Sequence, residues 1–502
     1  MRTFEKYIQV TKSMEKKIHG GLGHSALHLT AAKVITVLIS LISSMLLSRF
    51  RTIEEYGTYS QLTIAITLAT SLVMLGLPNS INFFLAKADT SEERRDFLSV
   101  YYTLNTFLCV ILGGVLVAAV PLIEGYFQNP LIGKFAYFLA IYPWANITIS
   151  SISNVLVVYN RTARLMLINV LTSLVSLLSV VFIQIFGCTF EQYILVFLIG
   201  NVLLALWIHV IIARAEKGIR PRMRWDIVKK IFAYSIPIGL ASLIGTINVE
   251  IDKLMIGGQL GTEELAIYTN AGKELPLTMV ATSLTAVLMP QIVRKLKQED
   301  TLGAVSLWKT SVEISYIILC FFTTACIVFA PQIMTILYSE KYLPGVSVFR
   351  IYSIVLLLRV TYFGLVLNSV GKTRFILWSS IASLVLNVVL NYTMYQLLGF
   401  IGPAVATVLS ILLIALLQIW VSGRVIHVPF SQIFPWGRLL LITLCNLAWG
   451  AAAYLVLWLL GIGTGAVDIL IAIGIGAVCT LVYVFLFKKN ILSTWRRLNN
   501  EQ

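Results

Sequence analysis

The sequence predicts an all-α, polytopic membrane protein of about fourteen transmembrane helices. They would form two six-helix lobes and an accessory helix pair, with both termini cytoplasmic. Three observations predict it. The 502-residue chain is 58% hydrophobic and only 12% charged, with a mean hydropathy of +0.87, whereas a water-soluble protein carries about 25% charged residues. Apolar runs of bilayer-spanning length, about 20 residues each, recur from Leu29 almost to Lys488. Lysine and arginine, finally, cluster on one side of the alternation that these runs define.

Read between charged or Gly/Pro breaks, the spans are 29–48, 59–84, 98–122, 135–158, 165–186, 191–213, 232–257, 265–291, 310–336, 346–370, 375–397, 401–423, 439–460 and 466–487. Residues 1–28 precede them as a polar, basic cytoplasmic tail. No cleavable signal peptide is expected, because the first apolar run is too long for one. Residues 4–18 could lie on the inner surface as an amphipathic helix or form a disordered basic tail. The first six spans make an N-lobe over 29–214, and a basic cytoplasmic linker follows at 215–231. Six more spans make a C-lobe over 232–424. The last two form the accessory pair over 425–488, and 489–502 is a cytoplasmic tail.

The basic residues fix the orientation. The N-tail, the even-numbered loops and the C-tail hold most of the 38 lysines and arginines, whereas the odd-numbered loops hold only Arg49, Arg51, Lys134 and Lys341. A bias that keeps its sign along the whole chain is the positive-inside pattern. The net charge of +15 is therefore topological, and no nucleic acid is expected as a partner. The densest stretch, 214–230, reads first as an inner-leaflet anchor and second as a docking site for an anionic head group.

Two stretches repeat at an offset of about 209 residues. Glu54, Glu55 and Tyr59 after the first span align with Glu263, Glu264 and Tyr268 after the seventh. Arg164, Ser173 and Val175 likewise match Arg374, Ser383 and Val385. Each repeat holds six spans, so the copies share one orientation, as in transporters with parallel repeats.

With these residues in view the chain resembles the polysaccharide transporter family, the oligosaccharide repeat-unit flippases of the multidrug/oligosaccharidyl-lipid/polysaccharide (MOP) flippase superfamily. The resemblance is carried by residues 48–59 (SRFRTIEEYGTY), 75–78 (LGLP), 234–237 (YSIP), Asp252, 257–268 (GGQLGTEELAIY), Asn387, Asn391 and 399–407 (GFIGPAVAT). It covers roughly 29–424. It implies a flippase in the bacterial plasma (inner) membrane that moves undecaprenyl-pyrophosphate-linked oligosaccharides to the outer leaflet. The cargo would serve capsule, O-antigen or exopolysaccharide synthesis. Expected partners are the lipid-linked oligosaccharide, membrane lipids, and the glycan polymerase and glycosyltransferases of the pathway. The alternatives are an ion-coupled multidrug exporter of the same superfamily and a lipid II flippase. The latter typically lines its first lobe with several arginines, whereas the first span here contains only Lys33.

Ionised side chains at mid-bilayer cost about 2.5–3.5 kcal/mol on insertion scales, so each requires a reason. On the functional reading, Arg359, Lys273 and Lys33 contact the pyrophosphate, and Asp252 and Glu250 couple transport to a proton or sodium gradient. On the structural reading, the same charges form ion pairs that pin helices together, such as Asp252 or Glu250 with Arg359. For Lys253 and Arg350, snorkelling to the outer interface is an alternative to both readings. Asn387, Asn391 and Thr246 belong to polar stripes at helical spacing that would line a hydrated path or simply pack helices.

Other chemistries find little footing. Gly371, Lys372 and Thr373 look like the end of a phosphate-binding loop, but Val366 stands where its first glycine is required. The six cysteines form no C-x-x-C pair and the histidines are scattered, so neither a metal site nor a cofactor is expected. No nucleophile–base constellation suggests an enzyme. Asn146 and Thr148 match a glycosylation sequon but lie inside a span.

Overall fold

The computed structural model describes residues 34–500, apart from Lys217 and Glu274. Every regular element among them is helical. Among the described residues, ten helices are long and apolar enough to cross a membrane, or up to twelve when each of two bent pairs counts as one span. Large apolar side chains lie exposed along them, including Leu122 at 77% and Phe485 at 81%. Lipid is the solvent that makes such a surface stable.

The chain divides into two compact units. The first runs to Leu243, leaving out residues 56–61. It contains α1 (Val34–Phe50), α2 (Ile53–Met74), α3 (Leu77–Lys87), α4 (Ser91–Ala118), α5 (Val120–Phe127), α6 (Ala136–Val158), α7 (Thr162–Ile185), α8 (Phe190–Ala215) and the start of α9 (Trp225–Gln259). Capping boxes start three of these helices: Thr52 with Glu55, Thr90 with Glu93 and Thr189 with Gln192. The span expected at 59–84 is instead two helices bent by 44°. The bend has a local cause. Leu75 and Gly76 both take left-handed backbone (φ 34° and 73°), and Pro78 starts the next helix. A Cβ on Gly239 would collide with the Leu75 backbone, so α9 crosses this corner at glycine contact.

The expected linker at 215–231 is tied into the first unit. Asp96 near the start of α4 receives Arg222 at 3.0 Å and Arg224 at 2.8 Å, and Arg94 pairs with Glu216 at 3.0 Å. Val228 and Ile231 join the core of that unit, and Tyr234 stacks on Phe83. The division between units therefore falls inside α9, where hydropathy shows no break.

The second unit comprises residues 56–61 and everything from Ile244 onward. After α9 come α10 (Thr262–Ala271), α11 (Met279–Lys297), α12 (Thr301–Val328), α13 (Ala330–Tyr338), α14 (Val346–Val355), α15 (Leu365–Ser369), α16 (Thr373–Leu398), α17 (Gly402–Val425), α18 (Phe430–Ile433), α19 (Trp436–Leu459) and α20 (Ala466–Asn500). The span expected at 265–291 is also bent, by 47° between 262–278 and 281–297. The most enclosed spanning helix is α12, with 61% of its apolar window buried, and the least is α20, with 11%. Two small apolar clusters seat α19 and α20 against α12. Polar bonds add to them: Tyr483 donates to the Ile317 carbonyl at 2.9 Å, and Arg438 pairs with Glu313 at 2.9 Å.

The repeat seen in sequence is visible in element order. In the first unit α4 is followed by α5, a 3₁₀ turn at Pro130–Phe135 and then α6. In the second, α12 is followed by α13, a 3₁₀ turn at Glu340–Gly345 and then α14. There the likeness fails. Where α6 runs unbroken for 23 residues, α14 stops after 10 and gives way to a 3₁₀ turn, Leu356–Arg359. Residues 360–364 are then non-helical before α15 begins. The expected continuous span at 346–370 is thus a discontinuous one. Irregular backbone at membrane depth is stable where it lines a cavity, and this segment does.

Candidate functional site

Spacing on α9 starts the site. Asn248 and Asp252 lie one turn apart and share a face, whereas Glu250 and Thr246 lie on another. The 248–252 face forms one wall of a cavity of about 620 Å³ that lies within the second unit. Lys253 and Lys273 join it, with Tyr352 from α14 and Arg359 from the 3₁₀ turn. The unwound Thr361, Tyr362 and Phe363, Asn387 on α16 and Gln418 on α17 complete much of the wall. That volume falls in the range of small-ligand sites.

Asp252 is 2% exposed. Its Oδ1 accepts the backbone N–H of Lys253 at 2.9 Å, and its Oδ2 accepts the hydroxyls of Tyr268, at 3.3 Å, and of Tyr352. The two tyrosine hydroxyls are themselves 3.3 Å apart. A buried carboxylate is costly unless donors surround it, and here two of three come from other helices. Gly272 permits the arrangement: a Cβ there would sit 3.0 Å from the Tyr352 ring.

The neighbouring charges differ in role. Glu250 Oε2 holds Lys253 Nζ at 2.9 Å one helical turn away, with both side chains largely buried. Asn387 donates to Asn248 Oδ1 at 2.9 Å, while its own Oδ1 accepts from Asn391 at 2.8 Å and Ser410 at 3.4 Å. This amide chain ties α9, α16 and α17 together.

Of the residues expected from sequence, Lys273, Arg359, Asp252 and Asn387 share the cavity. Glu250 pairs with Lys253 beside it, and Asn391 is fully buried behind Asn387. Thr246 lies off the cavity wall, and Lys33 lies outside the described residues. Tyr268 and Tyr352 escaped the sequence reading because aromatics in apolar runs read as packing. One signal was present: Tyr268 is the repeat partner of Tyr59. Lys253 also lines the cavity.

A second cavity, of about 1240 Å³, is bounded by α12, α19 and α20. Its walls are apolar, from Ile317 and Trp449 to Val482, except at one end, where Glu313 and Arg438 lie. Among the described residues, no three His, Cys, Asp or Glu side chains converge to hold a metal ion.

Comparison with known proteins adds four findings. Residues 46–347 match the family described as polysaccharide biosynthesis protein. An uncharacterized membrane protein of Methanocaldococcus jannaschii is 24% identical over 396 residues, covering 74% of this chain and 91% of that protein. Among solved structures, the lipid II flippase MurJ in an inward closed conformation matches with a TM-score of 0.72 at 15% identity, over 92% of this chain and 99% of MurJ. An inward-facing multidrug resistance MATE family transporter of the MOP superfamily matches with a TM-score of 0.63 at 17% identity, over 80% and 98% of the two chains. At such identities the structural likeness establishes the fold.

Proposed function

The chain belongs to the polysaccharide biosynthesis protein family, and from that premise we propose that it is a flippase for undecaprenyl-pyrophosphate-linked oligosaccharide repeat units. It would carry them from the inner to the outer leaflet by alternating access, in the plasma (inner) membrane of a bacterium. Fourteen crossings follow if α1, each bent pair, the discontinuous 346–370 segment, and α16 and α17 separately each count as spans. On this reading two lobes of six carry transport, α19 and α20 are accessory, and both termini are cytoplasmic.

The observation that carries the proposal is the charge of the cavity. Lys253, Lys273 and Arg359 line it together with the buried Asp252, and Glu250 beside it offsets Lys253. Such a surface suits the paired phosphates of a carrier lipid and disfavours an organic cation, which weighs against drug export. Lys273 and Arg359 would contact the pyrophosphate, joined by Lys33. Asp252 would couple transport to an ion gradient, with Glu250 supporting it through Lys253. The apolar cavity beside α19 and α20 has the chemistry to hold a prenyl chain. A second reading, a lipid II flippase, draws support from the MurJ-like fold; its cargo is also a pyrophosphate-linked lipid. The glycan polymerase and glycosyltransferases of the same pathway would be functional neighbours.

Deleting the gene distinguishes these readings. Accumulation of a lipid-linked repeat unit facing the cytoplasm, with peptidoglycan synthesis intact, is expected. Arrested peptidoglycan synthesis with accumulated lipid II would favour the second reading, and accumulation of neither lipid would refute both.

A further inference from the structure

Asp252 has unusual company for an ion-pair partner. Its hydrogen bonds come from neutral donors, and no ion pair joins it to a lysine among the described residues. Charged and titratable groups nevertheless lie beside it or line the same cavity. Glu250 and Lys253 lie on its own helix, Tyr268 on α10 and Lys273 just beyond α10. Tyr352 on α14, Arg359 and Tyr362 after it, and Tyr56 from α2 complete the set. The α16 and α17 walls add uncharged groups such as Asn387, Thr407 and Gln418.

We propose that Asp252 is a proton site whose occupancy is linked to that of an anion at Lys273 and Arg359, so that proton and anionic head group bind together rather than in exchange. The inference rests on the head-group reading above. With the cavity empty, the cations stabilise ionised Asp252. A pyrophosphate that engages those cations withdraws that stabilisation and adds its own repulsion within the same small, partly desolvated volume. Taking up one proton from water removes the conflict. By reciprocity, protonation of Asp252 must strengthen anion binding by the same factor.

The hydroxyls allow this without rearranging the backbone. In the ionised state Tyr268 and Tyr352 donate to Oδ2. In the protonated state the carboxyl O–H donates to one phenolic oxygen, whose own hydrogen turns away. Because the two hydroxyls are 3.3 Å apart, the displaced hydrogen has an acceptor close by. A metal cation fits less well, since the lysines facing the cavity would repel it.

The test uses the full chain in lipid nanodiscs and a farnesyl-pyrophosphoryl sugar as probe. Its pyrophosphate is esterified at both ends, so neither phosphorus has the ionisation near pH ~6 of a phosphate monoester. Wild-type affinity should weaken with rising pH, by up to about tenfold per unit for one linked proton. Calorimetry in buffers of different ionisation enthalpy should record proton uptake on binding. Asp252→Asn should bind with little pH dependence and no uptake, Asp252→Glu should restore uptake, and Lys273→Gln should weaken binding throughout. Proton release, pH-independent wild-type binding, or a requirement for sodium would overturn the linkage while leaving the head-group reading intact. No binding by the wild type would overturn both.

Discussion

Tyr352 reaches from α14 to a carboxylate on α9, and the bond is strongest while Asp252 is ionised. Removing one donor from a buried charged acceptor costs about 1.5–3 kcal/mol. Tyr352→Phe should therefore lower the melting temperature of the protein in detergent near neutral pH. In an Asp252→Asn background the same change should cost much less, and a double-mutant cycle reads the difference. Equal costs in both backgrounds would place the role of Tyr352 in ring packing against Tyr268, whose centroid is 5.9 Å away. At this scale the charges were legible and their partners were not. An Asp inside an apolar run announces itself through its insertion cost, whereas tyrosines cost nothing unusual there. The common offset that aligns Tyr268 with Tyr59 puts Ser43 opposite Asp252. The first repeat therefore lacks the carboxylate that gives its tyrosine a charged partner in the second.

The elements differ in how well hydropathy foretells them. Continuous helices such as α6, α7 and α16 follow from apolar length alone. Breaks depend on what the helix meets in three dimensions, and an apolar run at 346–370 gave no hint that 360–364 would unwind around a cavity. The Leu75–Gly76 corner was marked by its glycine and Pro78, but its reason is a helix crossing. Gly239→Ala should cost more than about 4 kcal/mol, because the new Cβ strikes backbone that cannot move aside. Gly245→Ala, farther along the same helix, meets nothing within 4 Å and should be neutral or mildly stabilising. Comparing their melting temperatures and yields checks this, and equal behaviour would contradict the crossing. Asn387→Ala cuts bonds to two neighbouring helices and should cost about 1–2 kcal/mol. The same melting assay reads it.

Over the whole molecule, composition made the fold class legible, because the bilayer admits only helices or closed barrels, and the distribution of basic residues predicts an orientation. The position of the unit boundary was hidden, since α9 is continuous through it, Phe83 of the earlier unit stacks on Tyr234 within it, and Asp96 pairs with Arg224 just before it. The orientation yields a prediction. Cysteines introduced near Lys341 should react with an impermeant thiol reagent from outside cells, and those near Arg374 only after permeabilisation; the reverse pattern would invert the proposed topology. The most direct test of the proposed activity is transfer between leaflets. Purified protein in liposomes should move an undecaprenyl-pyrophosphate oligosaccharide to the opposite leaflet, read by access of an added glycosidase. Lys273→Gln, reconstituted at equal density, should slow it about tenfold or more, the loss expected for a charged contact worth more than about 1.4 kcal/mol. Equal rates in protein-free and protein-containing vesicles, or full speed in that variant, would contradict a cationic cavity that carries the head group.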